Sequence, residues 1–255
     1  MERPLRLTGS AIALVAGLLV VPRQAAAMHI AEGIIVGIPA VVYTLLGMAL
    51  VGWGASRMRR FAAELPEKKP LLGMGAAIIF FVSLIPLPAF TGTTSHPCGT
   101  PLIAILLGPG PAIALTGVSL LLQAAFFAHG GFATWGANVV ALGLFGSLFG
   151  WGTFRLARAL RLPIFVAGCI GGLVGDVMVY AASGCILGFT LAHGPQAQYG
   201  LGTYLGVIFA AYAPIQVPIA FAEMLVTGFA LRHALRQRPD VLAELDVWPA
   251  SRARA

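Results

Sequence analysis

The stretch PIFVAGCIGGLVGDVMVYAASGCILGF, residues 163–189, decides the class of fold, because its 27 residues contain one charged side chain, Asp176. About 20 predominantly apolar residues in a helix are enough to cross the hydrocarbon core of a bilayer. The whole chain has the same character, with 58% hydrophobic residues, 10% charged residues and a mean hydropathy of +0.89. Soluble domains carry about 25% charged residues. The composition therefore predicts an all-α, polytopic membrane protein whose surroundings are the lipid bilayer.

Five further apolar segments accompany this stretch, at residues 34–55, 71–90, 111–128, 136–156 and 201–231. Clusters of Lys and Arg follow three of the segments, within residues 57–69, 155–161 and 232–238. Such clusters ordinarily lie on the cytoplasmic side of the membrane. If all three do so, an even number of crossings must separate each pair, and the apolar segments between the first two clusters are odd in number.

One short additional crossing would make the number of crossings between the first two basic clusters even. Thr100–Leu107, with the sequence TPLIAILL, precedes the turn Gly108–Pro111 and can form a half-helix that descends before the next segment ascends. A piece this short reaches membrane depth only when other helices bury it. The prediction is then about seven transmembrane helices, one of them short, with residues 236–255 as a basic cytoplasmic tail. The loop histidines come to lie on the outer side: His96, His129 and His193.

Residues 1–27 have the pattern of a cleavable signal peptide. Arg3 and Arg6 form a basic region, Ser10–Val21 form a short apolar region, and Ala25–Ala27 supply a cleavage pattern of small residues. Cleavage after Ala27 would leave a mature chain that begins at Met28, with its amine outside the cytoplasm. An uncleaved first helix and a translation start at Met28 are the open alternatives.

Charge and motifs exclude several classes of protein. The formal charge of +7 comes from basic residues at the ends of apolar runs, which excludes a nucleic-acid-binding stripe. The three cysteines form no C-x-x-C motif, so they are expected to pack rather than to form a disulfide framework. The chain also lacks the phosphate-binding loop of ATPases and the commonest motifs of metalloproteases and serine hydrolases.

Two separate segments could together bind a small transition-metal ion. A free amine on Met28, the backbone nitrogen of His29 and the His29 imidazole can close two fused rings around one metal. The α-amine has an ordinary pKa near 8 and is an accessible ligand at neutral pH. A fourth nitrogen from His96 would complete a square-planar set, which is typical of Ni(II) or Cu(II). From spacing alone, two unrelated loop histidines remain the simpler interpretation.

Other polar residues are candidates for supporting such a site. His129 and Asn138 belong to a second polar turn on the same side and could orient a ligand or hold the loop. Asp176 and Glu223 are acids within apolar runs, where carboxyl groups are costly and mark functional candidates. A buried, hydrogen-bonded structural group is an equally open interpretation for both.

The last long segment contains Gln216 between two prolines, Pro214 and Pro218. Proline lacks a backbone N–H and cannot continue the hydrogen-bond ladder. We therefore expect a local break of the helix at this position, with backbone groups exposed to polar partners.

The sequence resembles one known family over nearly all of residues 28–235. The matching stretches are MHIAEG (28–33), SHPCGTPLIAILLGP (95–109), QAAFFAHGGFATWGAN (123–138), GDVMVYAAS (175–183) and IQVPIAFAEMLVTGFALR (215–232). These are similar to the CbiM/NikM family, the substrate-binding membrane components of energy-coupling-factor cobalt and nickel transporters. The resemblance implies one metal-binding transmembrane domain, residues 28–235, with a helix added at the N-terminus of the usual six.

The resemblance also implies a function and a ligand set. It implies a subunit without enzymatic activity of its own that captures Co(II) or Ni(II) through Met28, His29 and His96, with no resident cofactor. Its partners would be a transmembrane coupling subunit, ATP-binding cassette ATPases and a small accessory membrane subunit, in the bacterial inner membrane. The cobalt would supply cobalamin biosynthesis. A membrane metalloenzyme and a metal sensor are the alternatives that use the same histidines.

Overall fold

The computed structural model describes residues 30, 32–85, 87–88, 94–195 and 197–248. Eight α-helices account for most of these residues. They are α1 (Ile38–Glu64), α2 (Lys69–Ser83), α3 (Thr100–Leu107), α4 (Pro109–Phe127), α5 (Trp135–Ala159), α6 (Ile164–His193), α7 (Leu201–Gln237) and α8 (Pro239–Glu244). Within α5, residues Val139–Phe145 have π-helical hydrogen bonding. A 3-10 turn (Pro66–Lys68) joins α1 to α2, and two short strands, β1 (Leu87–Pro88) and β2 (Thr94–Ser95), pair antiparallel.

Five of these helices are long and apolar enough to cross a membrane: α1, α4, α5, α6 and α7. Each of the seven segments predicted from the sequence contains a helix, but two of the helices are short. Helix α2 has 15 residues and α3 has eight. The all-helical, multi-pass architecture is confirmed, and the count of seven crossings stays a prediction.

The short helix α3 lies at the centre of the packing. All of its residues except Leu106 are buried. At Gly108 the backbone has φ +86, a left-handed conformation that glycine adopts without a steric penalty, and α4 starts at the next residue. Helix α3 therefore forms a hairpin with α4, and it also packs against α5 and α6. The prediction that a half-helix here is buried among other helices is confirmed.

Glycines permit the close packing of α5 and α6 around the start of α3. A Cβ atom built on Gly150 or Gly175 would lie 2.7 Å from the Cβ of Pro101, which is closer than real Cβ atoms come. The pair Gly171/Gly175 on α6 therefore packs tightly, as does Gly146/Gly150 on α5. Two further pairs with the same four-residue spacing, Gly33/Gly37 and Gly202/Gly206, have no heavy atom within 4 Å of such a Cβ.

Helix α7 continues through both of its prolines. It runs from Leu201 to Gln237 as one element of 37 residues with Pro214 and Pro218 inside it. The predicted break of the helix at these prolines is therefore wrong. A proline removes single hydrogen bonds without ending the helix where flanking residues and neighbouring helices support it. The most extensive helix contact in the described part of the chain, between α6 and α7, provides this support.

The segment after α7 folds back over the ends of other helices. Leu242 in α8 and Val247 beyond it are 2% and 5% exposed. Two ion pairs attach the same segment, Lys68 with Glu244 and Arg155 with Asp246, both at 2.7 Å. Residues 239–248 thus pack against other helices, and the assignment of residues 236–255 to a basic cytoplasmic tail stays a prediction.

Candidate metal centre

His96 lies in the short loop that joins β2 to α3, and its side chain is fully buried at 0% exposure. Its Nδ1 lies 2.9 Å from the carbonyl oxygen of Pro97, which can only accept, so Nδ1 carries the proton. In a neutral imidazole the other nitrogen, Nε2, then has the lone pair that a metal would use. Burial lowers the pKa of His96 to about 3, although the hydrogen bond to Pro97 opposes this shift. The ring is therefore held in the neutral form that metal binding requires.

The end of this loop is held by a carboxyl group on α7. The backbone N–H of Cys98 donates to Glu223 Oε2 at 2.8 Å, and the N–H of Gly99 donates to Glu223 Oε1 at 2.7 Å. Gly99 has φ +67, a conformation that favours glycine, and it turns these two N–H groups toward Glu223 at the start of α3. Both oxygens of a fully buried carboxyl group thus hold the loop two to three residues after His96.

A second set of hydrogen bonds holds the beginning of the loop. Ser95 Oγ donates to Gln216 Oε1 at 2.7 Å and lies 3.1 Å from Tyr180 Oη. Tyr180 Oη also donates to the backbone carbonyl of His96 at 3.3 Å. Gln216 in turn donates through Nε2 to Asp176 Oδ2 at 2.5 Å. The candidates Asp176, Gln216 and Glu223 therefore form one buried network with the loop that carries His96.

Cys98 extends this network. Its thiol donates to Asp176 Oδ1 at 3.5 Å, and one ligand atom each from Cys98, Asp176 and Glu223 lies within 4.8 Å of the others. Burial raises the pKa of the Cys98 thiol, and the nearby carboxyl groups raise it further. The thiol is therefore held protonated. All three cysteines are free, as expected from the sequence, although Cys185 is exposed rather than packed.

His129 lies beside His96. Its ring centroid is 5.6 Å from that of His96, with the two planes tilted by 49°. Ala128, with φ 49, ends α4, and the N–H of His129 then bonds back to the carbonyl of Gln123. Burial lowers the pKa of His129, while a hydrogen bond from its side chain to the backbone of Ser83 opposes this shift. Two neutral imidazoles are thus brought together from different loops.

The segment that begins at Ile30 is hydrogen-bonded to residues around the start of α5. The N–H of Ile30 donates to Asn138 Oδ1 at 2.9 Å, and Asn138 Nδ2 donates back to the Ile30 carbonyl at 3.4 Å. Two residues later, the carboxylate of Glu32 accepts a hydrogen bond from the N–H of Ala133 at 3.2 Å. The segment that follows His29 in sequence is therefore attached to Ala133 and Asn138, at the start of α5, a few residues after His129.

The predicted site residues and the third loop histidine, His193, fall into three groups. Met28 and His29 lie outside the described residues. His96, His129, Asn138, Asp176, Gln216 and Glu223 are all buried, and His193 is exposed at the end of α6. Ser95 and Tyr180, which belong to the same network, were not among the predicted site residues. Their positions offered a signal, because Ser95 precedes His96 and Tyr180 follows Asp176 by four residues, on the same helix face.

Comparison with known proteins gives concordant results. Residues 29–241 match the family described as the CbiM cobalt uptake substrate-specific transmembrane region. A cobalt transport protein CbiM of Geobacter sulfurreducens is 38% identical over 94% of this chain and 67% of its own length. A protein with the same description from Sorangium cellulosum is 35% identical over 86% of this chain and 96% of its own.

A solved structure agrees with the helical arrangement. The crystal structure of a truncated transition metal transporter superposes with a TM-score of 0.67 at 26% identity, over 82% of this chain and 98% of the other. The matched relatives are transport components rather than enzymes. The chain therefore belongs to the CbiM family of cobalt uptake transmembrane regions, and it is a membrane component of a transporter.

Proposed function

We propose that this protein captures Co(II) or Ni(II) on the outer side of the membrane, as the substrate-specific subunit of an ATP-driven importer of the energy-coupling-factor type. The ligands are the amine of Met28, the backbone nitrogen and imidazole of His29, and the imidazole of His96. One observation carries this proposal. Ile30 is hydrogen-bonded to Asn138 at the start of α5, and His129, in the loop just before α5, has its ring centroid 5.6 Å from that of His96. The residues after the proposed chelate and the fourth ligand thus meet at one end of the bundle.

The chemistry of His96 supports this assignment. A neutral, buried imidazole whose Nδ1 donates to a carbonyl has the usual tautomer and orientation of a metal ligand. Nitrogen ligands suit both cobalt and nickel, and metal availability can decide between the two. The names of the matched relatives favour cobalt as the ion. We propose that the imported cobalt supplies cobalamin biosynthesis.

The proposed transport cycle assigns the energy source to other chains. The partners are a transmembrane coupling subunit, ATP-binding cassette ATPases and a small accessory membrane subunit in the inner membrane. The topology has the mature N-terminus outside and the C-terminus in the cytoplasm. Movement of this subunit, driven by ATP hydrolysis in the partners, exposes the ion to the cytoplasm.

Uptake of radioactive cobalt by cells tests this function. Cells that produce the protein with its ATPase subunits should accumulate the metal, and cells that lack the ATPases should not. Equal uptake in both would contradict an ATP-driven importer. Binding without any uptake would favour a sensor, and turnover of an organic substrate would favour a metalloenzyme.

Mass spectrometry of the mature N-terminus tests the ligand set. A chain that begins at Met28 with a free amine supports the proposed chelate. A retained leader, or a cut that removes Met28 or His29, would exclude it.

A further inference from the structure

Two buried carboxyl groups face each other beside the loop of His96. Asp176 of α6 and Glu223 of α7 are 0% and 4% exposed, and one carboxyl oxygen of each lies within 4.8 Å of the other. Two carboxylates this close repel each other, and a proton on one of them removes the repulsion and allows a hydrogen bond between them. This arrangement favours one proton and one negative charge on the pair.

The surroundings of Asp176 and Glu223 also favour one proton and one negative charge on the pair. The three ion pairs recorded among the described residues all involve other acids, namely Glu244, Asp246 and Asp240. Two adjacent buried carboxylates without a cation would be strongly unfavourable, since burying even one isolated charge is costly. A shared proton removes one of the two charges.

The hydrogen-bond pattern decides which partner is charged. Glu223 accepts the N–H groups of Cys98 and Gly99, one on each oxygen, at 2.8 and 2.7 Å. Backbone N–H donors stabilise a carboxylate more strongly than they stabilise a neutral acid. Asp176 accepts from the Gln216 amide and, at 3.5 Å, from the weak donor Cys98. The charge thus belongs to Glu223 and the proton to Asp176.

The charged group and its neighbour Gln216 attach the loop to a single helix. Gln216 and Glu223 are seven residues apart on α7, about two helical turns, so they lie on the same face. Gln216 holds the loop at Ser95 and Glu223 holds it at Cys98 and Gly99, on either side of His96. The loop on both sides of His96 is therefore attached to α7, while Tyr180 of α6 bonds to the His96 carbonyl.

From this arrangement we infer that Glu223 is a positioning residue. Its carboxylate, kept charged by a neutral Asp176, fixes the loop so that His96 is oriented to bind the ion. A buried carboxylate near the loop also partly balances the charge of an incoming divalent cation. The inference rests on the proposed function and adds the residues that control the geometry of the fourth ligand.

Isosteric substitutions distinguish the two members of the pair. In Asp176→Asn, the new amide N–H can donate to Glu223 as the acid proton does, and its oxygen can still accept from Gln216. In Glu223→Gln, an NH2 group replaces an oxygen that accepts a backbone N–H, so one of the two bonds to the loop is lost and two donors oppose each other. Asp176→Asn is therefore the matched control for Glu223→Gln.

The first measurement is the affinity of the purified full chain for Ni2+ and for Co2+, by competition with a chromophoric chelator. We expect Asp176→Asn to bind within about threefold of the unaltered protein, and Glu223→Gln to bind at least tenfold more weakly. At saturating Ni2+, the visible absorption spectrum of Asp176→Asn should match that of the unaltered protein. Tolerance of both substitutions, or the reverse order of effects, would overturn the inference.

The second measurement needs no metal. Infrared spectroscopy at neutral pH should show the carbonyl band of a protonated carboxylic acid in the unaltered protein, and Asp176→Asn should abolish it. A band that persists in Asp176→Asn, or no band in the unaltered protein, would contradict the assignment even if Glu223→Gln fails to fold. If the unaltered protein binds neither metal, the proposed function fails, and the infrared result still decides the state of the carboxyl pair.

Discussion

Two histidines of this protein lie in or next to a connection between elements, yet their contacts are of different kinds. The loop of residues 94–99, before α3, is held by side chains 84 to 125 positions away in the sequence, from Tyr180, Gln216 and Glu223. The turn between α6 and α7 has local contacts. His193 stacks on Phe189 with ring centroids 4.2 Å apart, and its Nδ1 bonds to the carbonyl of Phe189.

This difference supports His96, rather than His193, as the proposed fixed ligand. His96 is fully buried and its backbone is attached to two long helices, whereas His193 is exposed on the end of its own helix. A metal site needs ligands held by supporting contacts as well as the right donor atoms. Each of the following predictions therefore pairs a residue near His96 with a control near His193.

The largest effect is expected for removal of the ligand itself. His96→Ala should weaken the binding of Co2+ and Ni2+ at least 100-fold, because one of the four nitrogen ligands is lost and water must replace it. His193→Ala should stay within twofold. Chelator competition measures both affinities, and equal losses in the two variants would refute the distinction between the loops.

A smaller loss is expected when the N-terminal segment is detached. Asn138→Ala removes both hydrogen bonds to Ile30 and should weaken metal binding about tenfold, since the segment after His29 is no longer held in position. Gln198→Ala, in the exposed turn, is the control and should have no effect. Calorimetric titration with Ni2+ compares the two, and an unchanged affinity in Asn138→Ala would show that this attachment does not contribute.

A single hydroxyl should matter less. Tyr180→Phe removes the hydrogen bond to the His96 carbonyl and the contact with Ser95, and binding should weaken about three- to tenfold, the usual effect of one or two neutral hydrogen bonds. Tyr204→Phe is the control, because its Oη only accepts a bond from the N–H of Gln198. Similar losses in both variants would indicate a general effect on folding.

The smallest effect concerns pH and the stability of the metal-free protein. The pKa of His96 is lowered to about 3 in the folded state, below its ordinary value of 6.5. As the pH falls below 6.5, the unfolded chain gains a proton that the folded chain cannot accept until about pH 3, so stability is lost across this window.

The midpoint of thermal unfolding should therefore fall by a few degrees between pH 7.5 and pH 5. His96→Gln should reduce this pH dependence, and His193→Gln should leave it unchanged. Circular dichroism in detergent follows the transition. An equal pH dependence in all three proteins would show that another group is responsible.

The sequence predicted the positions of the helices well and some of their details poorly. The apolar runs identified every segment that contains a long helix, and the Gly-Pro turn after Leu107 identified the short helix α3. The break predicted at Pro214 and Pro218 was wrong, because support from α6 is not visible in the sequence of α7. The glycine pairs were equally ambiguous, since Gly171/Gly175 packs closely and Gly202/Gly206 does not.

For the candidate site, too, the sequence predicted some features and not others. His96, Asp176 and Glu223 could be selected from the sequence, because polar groups in apolar surroundings are costly and attract notice. Their grouping could not, since Cys98 and Glu223 are 125 positions apart. Nothing in the spacing of the histidines separated His96 from His193.

The sequence by itself determined that this protein lies in a lipid bilayer, the approximate places where its helices begin and end, and the residue types available to bind a metal. These properties follow from local composition, since each apolar run must satisfy its own backbone hydrogen bonds within the bilayer. Only the tertiary structure decided which histidine is buried, which carboxyl group holds its loop, and that Ile30 is attached to Asn138. These depend on contacts between distant segments, which form only when helices α3 to α7 pack together.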